Sequence, residues 1–169
     1  MNDKLKYNCT VHKPYPEVKV SKKDPAYAAL LSVPYAGTGG EISAILSYLY
    51  GSTVLNGGKD QIISDVLECI SVVEMHHMHI LAELIFLLGG DPRYVVAQGR
   101  RPFTAANLHY SENPTQILKN AIDGEEGAIF VYEQLRGMTD DENIISIIDR
   151  IIEDEKLHLN IFHELLGNI

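Results

Sequence analysis

The stretch Ser71-Val-Val-Glu-Met-His-His-Met-His-Ile-Leu-Ala-Glu-Leu-Ile-Phe86 decides the fold, because it is an apolar helical run with charged residues on its apolar face. Glu74 and His77 are three residues apart, which places them one turn apart on the same side of an α-helix. A carboxylate and an imidazole at this spacing can bind one metal ion together. A single Glu-x-x-His match also arises by chance on surface helices, so the pair needs support from elsewhere in the chain.

That support is a second copy of the pattern near the other end of the sequence. The stretch is Ile151-Ile-Glu-Asp-Glu-Lys-Leu-His-Leu-Asn-Ile-Phe162. Its Glu155 and His158 have the same spacing and again lie within an apolar stripe. Two such pairs in one chain indicate a shared site rather than two chance matches.

Each Glu-x-x-His pair follows a helical segment that carries its own matched residues. Glu41 stands seven residues before Tyr48, and Glu125 stands seven residues before Tyr132. The first Glu precedes the Glu-x-x-His pair by 33 residues in one half and by 30 in the other. Glu125, rather than Glu126, is in phase with the apolar stripe of its helix. The chain therefore contains an internal repeat of two helical hairpins.

Helix start and stop signals predict an all-α fold, an antiparallel four-helix bundle made of these two hairpins. Asp24-Pro25 starts a preceding helix, and Pro34 with the glycines after it predicts a kink or break within residues 33–40. Residues 93–111 are too long for a tight turn and predict a crossover between the hairpins. The bundle helices are predicted at residues 41–50, 59–88, 114–135 and from a cap at Thr139-Asp140 onward, with a loop at residues 51–58.

Length and composition predict one soluble domain. The 169 residues are 46% apolar and 22% charged, which suits a single globular core at residues 25–169 behind an extended N-terminal arm, residues 1–24. The net charge of −9 disfavours nucleic acid and anionic membrane surfaces as partners. The sequence has neither the apolar run of a signal peptide nor about 20 consecutive apolar residues. We therefore expect a soluble, cytoplasmic protein.

Cysteine usage agrees with a reducing compartment. Only Cys9 and Cys69 are present, and two cysteines make neither a disulfide framework nor a metal knuckle. We expect Cys9 to be a free thiol and Cys69 to be a packing residue of the core.

The inner-face residues predict a metal centre. Four carboxylates and two imidazoles buried among Ile, Leu and Val would cost several kcal/mol for each uncompensated charge. Two metal ions would remove that cost, and carboxylates with one imidazole per ion favour Fe or Mn. In this assignment two glutamates bridge the ions, two are terminal, and each His binds one ion. The predicted ligands are Glu41, Glu74, His77, Glu125, Glu155 and His158.

Further residues have two interpretations each. Tyr48 and Tyr132 either act on the site, by hydrogen bonding to a ligand carboxylate or delivering an electron, or are core aromatic residues with a satisfied hydroxyl. Outer hydrogen-bond partners of the histidines are expected, and helical phase does not choose among Asp65, Asp149 and Asp154.

The six residues resemble the dimetal site of the ferritin-like superfamily, which includes rubrerythrins, bacterioferritins and manganese catalases. Glu74-Met-His-His77 and Leu87-Leu-Gly-Gly-Asp-Pro-Arg-Tyr94 resemble clostridial rubrerythrin-like proteins. The Cys-x-x-Cys pairs of a rubredoxin module are absent from this sequence, and we therefore exclude a full rubrerythrin. Four further segments resemble the spore-coat proteins of the manganese-catalase family: Tyr15-Pro-Glu-Val-Lys-Val20, Gly40-Glu-Ile-Ser-Ala44, Pro102-Phe-Thr-Ala105 and Glu125-Glu-Gly-Ala128. By resemblance to manganese catalases, Glu155 either bridges the ions or lies outside their ligand sphere.

The resemblance implies a two-metal (Fe or Mn) oxidoreductase acting on hydrogen peroxide or dioxygen, as a rubrerythrin-like peroxidase or a manganese-catalase-like enzyme. A peroxidase would need an electron-donor protein, whereas a catalase would not. The alternatives are a ferroxidase or iron-storing cage protein and a structural coat protein with a vestigial site. We expect a homo-oligomer, a dimer, located in the cytoplasm or associated with the spore.

Overall fold

The computed structural model describes residues 7–169 and is almost wholly helical over that range. Helix α1 is short and precedes the four longer helices of the bundle. The helices are α1 Pro25–Ala36, α2 Glu41–Leu55, α3 Gln61–Leu87, α4 Pro114–Arg136 and α5 Glu142–Gly167. Helix α2 packs along α3, and α4 packs along α5. Short loops join the members of each pair, so each pair is an antiparallel hairpin and the predicted four-helix bundle is confirmed.

The apolar core is divided into two clusters, one toward each end of the bundle. On α3, Ile63 to Ile70 belong to one cluster and Ile80 to Leu88 to the other. On α5 the order is reversed, with Ile144 to Ile152 in the second cluster and Ile161 to Leu165 in the first. The reversal follows from the opposite directions of the two helices. Both Glu-x-x-His pairs therefore lie between the clusters, at the middle of the bundle.

The segment before α2 is interrupted as predicted. The Asp24 side chain accepts a hydrogen bond from the Tyr27 main-chain N–H, which begins α1, and the helix accommodates Pro34 near its end. It stops at Gly37, and Gly40 precedes α2. A Cβ at Gly40 would lie 2.2 Å from the Pro34 carbonyl oxygen, so only glycine allows this approach of the chain to itself. The break places Glu41 at the first turn of α2.

Helix α2 is longer than predicted, because the expected loop at residue 51 is wrong. The helix continues through Gly51 to Leu55. A Cβ at Gly51 would lie 3.0 Å from Leu67 Cδ1 and 3.2 Å from Ile117 Cγ2. Glycine therefore acts here as a close-packing residue between helices, not as a helix stop. At α5 the cap is Asp141, one residue later than predicted.

The crossover between the hairpins carries a small hairpin of its own. Strands β1 Val95–Val96 and β2 Arg101–Pro102 pair antiparallel, and a 3-10 turn follows at Ala105–Asn107. Strand β1 lies against α1. The connection therefore packs onto the first half of the molecule before it reaches α4.

The two cysteines correct an expectation. Cys9 and Cys69 form a disulfide, with their Cα atoms 6.1 Å apart, and are not free thiols. The pairing is invisible in the sequence because 60 residues separate the two. They meet because residues 7–24, which have no helix or strand, lie back over the bundle beside α3 and α5. Cys9 is buried and Cys69 is partly exposed.

Helix α3 is long and apolar enough, by length and composition alone, to cross a membrane. Its Glu74 and His77 are fully buried against other helices of the bundle. The apolar face of α3 is thus used inside the protein, as in the central helix of a globular domain.

Candidate metal centre

The six predicted ligands converge from four helices on one point inside the bundle. Glu41 comes from α2, Glu125 from α4, and one Glu-x-x-His pair from each of α3 and α5. All six are buried, with relative exposures of 0% to 4%. The rings of His77 and His158 are 6.2 Å apart between centroids. The converging arrangement expected from the repeat is therefore present.

The ligand atoms fall into two overlapping groups, in each of which the atoms lie within 4.8 Å of one another. Glu74 and Glu155 belong to both groups. Each group has one further glutamate and one histidine of its own. The groups are Glu41, Glu74, His77 and Glu155, and Glu74, Glu125, Glu155 and His158.

The two shared carboxylates each direct one oxygen toward each histidine. Glu74 Oε2 is 3.0 Å from His77 Nδ1, and Glu74 Oε1 is 2.9 Å from His158 Nδ1. Glu155 Oε1 is 3.1 Å from His77 Nδ1, and Glu155 Oε2 is 3.5 Å from His158 Nδ1. This is the geometry of two carboxylates that bridge two positions. The remaining pair, Glu41 and Glu125, are each near only one of the two rings, at 3.8 and 3.9 Å.

Three atoms of the site are buried without a hydrogen-bond partner among the described residues. They are Glu74 Oε1, Glu155 Oε1 and His158 Nδ1. The 2.9 Å approach of His158 Nδ1 to Glu74 Oε1 is a close contact without hydrogen-bond geometry. Buried polar atoms are nearly always paired, and lone pairs that face one another are satisfied by a cation. The donor set therefore fits two divalent ions.

The outer nitrogen of each histidine is held from the arm side of the bundle. His158 Nε2 donates to the main-chain carbonyl of Cys9 at 2.8 Å. His77 Nε2 lies 3.0 Å from the Tyr15 hydroxyl and 3.3 Å from Asp154 Oδ2. Such partners fix the ring orientation and leave Nδ1 directed at the centre.

Asp154 is the carboxylate that helical phase could not select. It accepts hydrogen bonds from the Val11 main-chain N–H at 2.8 Å and from the hydroxyls of Thr10 and Tyr15. Arg150 Nη1 lies 2.8 Å away. Burial alone would raise the pKa of Asp154, but the bonds from His77 and these donors lower it well below its usual range. Asp149 and Asp65 instead pair with Arg136 and Gln61 near the surface.

Several residues around the site were missed by the sequence analysis. Tyr15, Arg150 and the Cys9 carbonyl all contact a site histidine or Asp154. The four-residue spacing of Arg150 and Asp154 was the one readable signal, since it allows an ion pair within a helix. The arm contacts join residues 62 to 149 positions apart, and no local pattern encodes them.

The two tyrosines bond crosswise between the hairpins. Tyr48 on α2 donates to Glu125 Oε1 on α4 at 2.5 Å. Tyr132 on α4 donates to Glu41 Oε1 on α2. Burial and the adjoining carboxylates raise the pKa of both phenols, so both remain protonated donors. Both phenols therefore donate a hydrogen bond to a predicted ligand carboxylate, which also satisfies their buried hydroxyls.

Without metal, the site redistributes protons among its own groups. Burial and neighbouring carboxylates raise the pKa values of Glu41 and Glu125. Burial alone would lower the pKa of His158, but Glu74 and Glu155 raise it to about 9. Burial would raise the pKa of Glu155, yet His77 and hydrogen bonds lower it. Histidines would thus carry the compensating positive charge that metal ions supply in the loaded state.

A cavity of about 450 Å³ reaches the site from the glutamate side. Its inner wall includes Glu41, Glu125 and both crosswise tyrosines, and its outer wall includes exposed residues such as Gly39 and His109. Neither site histidine lines it. The carboxylate side is therefore accessible, whereas the arm covers the histidine side.

Comparison with known proteins agrees with this geometry. The family model for manganese-containing catalases matches residues 11–94. A probable manganese catalase of Clostridium acetobutylicum is 28% identical over 173 residues, covering 90% of this chain and 76% of the relative. KatB, a manganese catalase from Anabaena, superimposes with a TM-score of 0.83 at 25% identity, covering 94% of this chain and 80% of KatB. The chain is manganese-catalase-like, within the ferritin-like dimetal carboxylate superfamily.

A further relative of this manganese-catalase-like chain is protein CotJC of Bacillus subtilis. It is 28% identical over 170 residues, covering 89% of this chain and 87% of the relative. The matches to these relatives extend over both hairpins, whereas the family model covers the arm and the first hairpin.

Proposed function

We propose that this protein is a dinuclear manganese catalase that converts two molecules of hydrogen peroxide into two of water and one of dioxygen. The observation that carries the proposal is the pair of carboxylates, Glu74 and Glu155, each with one oxygen toward each histidine. Similarity to manganese catalases over most of the chain supports manganese in preference to iron.

In this proposal the six residues that converge at the centre hold the two ions. His77 and Glu41 would bind one ion, His158 and Glu125 the other, and Glu74 and Glu155 would bridge them. Bound manganese would supply the redox chemistry, by taking two electrons from one peroxide molecule and returning them to the next. No other reductant is then needed, which separates a catalase from a peroxidase that depends on a donor protein.

The residues of the chain admit the substrate and hold the proposed metal ligands in place. The cavity brings peroxide to the carboxylate side, between Glu41 and Glu125. Tyr48 and Tyr132, proposed as catalytic residues, hold these two carboxylates by donating a hydrogen bond to each. On the opposite side the arm keeps water from His77 and His158, both of which have no exposed surface.

Oxygen evolution tests the proposal directly. Protein loaded with manganese should release dioxygen from hydrogen peroxide in the absence of any reductant, as measured with an oxygen electrode. Glu74→Gln should lose both bound manganese and oxygen release, because it removes a bridging charge. Glu68→Gln is the matched control, at an exposed glutamate on the same helix, and should behave as wild type. Failure of the wild-type protein to bind manganese or to release oxygen would refute the proposal.

The relationship to CotJC favours a second candidate, a spore-associated coat protein with a vestigial site. That candidate predicts that the protein folds equally well with and without metal and that Glu74→Ala changes neither stability nor assembly. A stability difference that depends on manganese would contradict it. We also propose a homodimer, which light scattering on the purified protein would test.

A further inference from the structure

The disulfide and the metal centre meet at one residue of the arm. Cys9 is bonded through its sulfur to Cys69 on α3, five residues before Glu74. The main-chain carbonyl of the same Cys9 accepts the hydrogen bond from His158 Nε2 at 2.8 Å. The disulfide and the hydrogen-bond acceptor of His158 therefore belong to the same residue.

The carbonyl fixes which nitrogen of His158 faces the centre. A carbonyl oxygen only accepts hydrogen bonds, so the proton must remain on Nε2. In the metal-loaded state Nδ1 would then have its lone pair free for the ion; Nδ1 lies 2.9 Å from Glu74 Oε1 and has no hydrogen-bond partner among the described residues. Since no side chain supplies this acceptor, its position depends on where the main chain of the arm lies.

Other contacts hold the arm on both sides of Cys9: before it the Tyr7 hydroxyl donates to Glu164 on α5, and the rest lie beyond it. Thr10 and Val11 bond to Asp154, and Arg150 donates to the carbonyls of Val11 and Lys13. These contacts anchor the side of the arm that serves His77. At Cys9 itself the covalent anchor is the disulfide, and its Cys69 half is partly exposed.

We propose that the Cys9–Cys69 disulfide is a positioning element of the metal centre, which holds the Cys9 carbonyl against His158 so that reduction weakens the ion that His158 binds. This inference rests on the proposed function. Reduction by two thiol molecules would yield two cysteine thiols and one external disulfide. The reverse step would consume one hydrogen peroxide and yield two molecules of water. Hydrogen peroxide, the substrate, would therefore favour the disulfide form of the enzyme, which is the form that binds both ions.

The two ions should respond differently. His77 is held by the side chains of Tyr15 and Asp154, and Asp154 has its own contacts with Arg150 and Val11. None of these is covalent, so reduction leaves them in place. A disulfide that merely stabilised the fold would affect both ions alike, whereas the positioning role predicts loss at the His158 position alone.

The test is manganese binding, with no peroxide present. Free Mn²⁺ is titrated by electron paramagnetic resonance into metal-free protein, with and without dithiothreitol, while circular dichroism follows helix content. We expect two sites in the oxidised protein and, after reduction, one of them weakened by about 10-fold or more at unchanged helix content. Cys69→Ser should bind like the reduced protein and should not respond to dithiothreitol. Tyr15→Phe removes an outer partner of His77 and is the control. Its manganese binding should still weaken when dithiothreitol is added.

Each outcome decides a different question. Equal binding in both redox states overturns the inference and leaves the proposed function intact. Loss of helix content on reduction also overturns it, because the disulfide would then support the fold and not one histidine. If Cys69→Ser does not fold, the wild-type titration with dithiothreitol still decides. Absence of manganese binding in both states refutes the proposed function itself.

Discussion

At the scale of single residues, the crosswise tyrosines should contribute through the carboxylates they hold. Tyr132→Phe removes the donor to Glu41, and Tyr48→Phe removes the donor to Glu125. We expect each change to lower oxygen release by about 10-fold, the usual effect of losing an outer partner of a metal ligand. Tyr110→Phe, at an exposed position away from the site, is the control. A rate equal to wild type in both variants would assign the phenols to packing alone.

The raised pKa of His158 determines how the stability of the metal-free protein should depend on pH. The pKa of His158 is raised to about 9 in the fold, above the usual value of 6.5 in the unfolded chain. The stabilisation from this proton is full below pH 6.5 and is lost as the pH rises through 9. Glu41 and Glu125, whose pKa values are also raised, act in the same direction as the pH rises above the usual carboxyl pKa.

We expect the unfolding free energy of the metal-free protein to fall by on the order of 2 kcal/mol between pH 6.5 and 9. Urea denaturation at these pH values measures it. The manganese-loaded protein should change much less over that interval, because bound metal replaces the proton. A metal-free protein that became more stable toward pH 9 would contradict the assignment of charge to the histidines.

At the scale of helices, Gly51 limits how closely α2 can approach its neighbours. Gly51→Val would press a branched side chain against Leu67 and Ile117, and we expect a loss of about 1–3 kcal/mol in unfolding free energy. Gly127→Ala is the matched control, since nothing lies within 4 Å of its added Cβ and Ala is the better helix former. It should stabilise by about 0.5–1 kcal/mol. If the unfolding free energy of Gly51→Val equals or exceeds that of wild type, these helices have room for a larger side chain at this position.

Gly51 also shows which features of the helices can be predicted from the sequence and which cannot. Pro25 and Gly40 act locally, through a fixed backbone angle or a missing side chain, and the sequence predicts the helix start and the break that they form. Gly51 acts through contacts with α3 and α4 that only the assembled bundle provides, so the sequence pattern predicts a loop where the helix in fact continues. Periodicity of 3.6 residues likewise placed all six inner-face residues, because their burial is repeated along each helix.

At the scale of the whole molecule, metal should stabilise the fold as well as the site. The bundle brings four carboxylates together at one buried point, and their repulsion opposes folding until cations compensate it. We expect removal of manganese by a chelator to lower the melting temperature by several degrees, since a ligand that binds only the native state stabilises it. Glu74→Gln should melt at the same temperature with and without chelator. Identical melting of loaded and metal-free wild type would show that the ions are not bound.

The arm shows where prediction from the sequence ended. Its contacts with His158 and Asp154 pair residues more than 130 positions apart, its contact with His77 spans 62 positions, and the disulfide joins positions 60 apart. A polar segment with alternating apolar residues has many equivalent ways to lie on a surface. Only the folded bundle, with Arg150 and Asp154 already in place, selects one of them.

The reciprocal bonds of Tyr48 and Tyr132 say something about the origin of the molecule. Either hairpin, separated from the other, would leave the phenol and the glutamate of its inner face without these hydrogen bonds. Two copies of one hairpin, packed face to face, would pair both groups, because the tyrosine hydroxyl of each copy would donate to the glutamate of the other. The single polypeptide has the internal symmetry that duplication and fusion of a self-associating ancestor would leave.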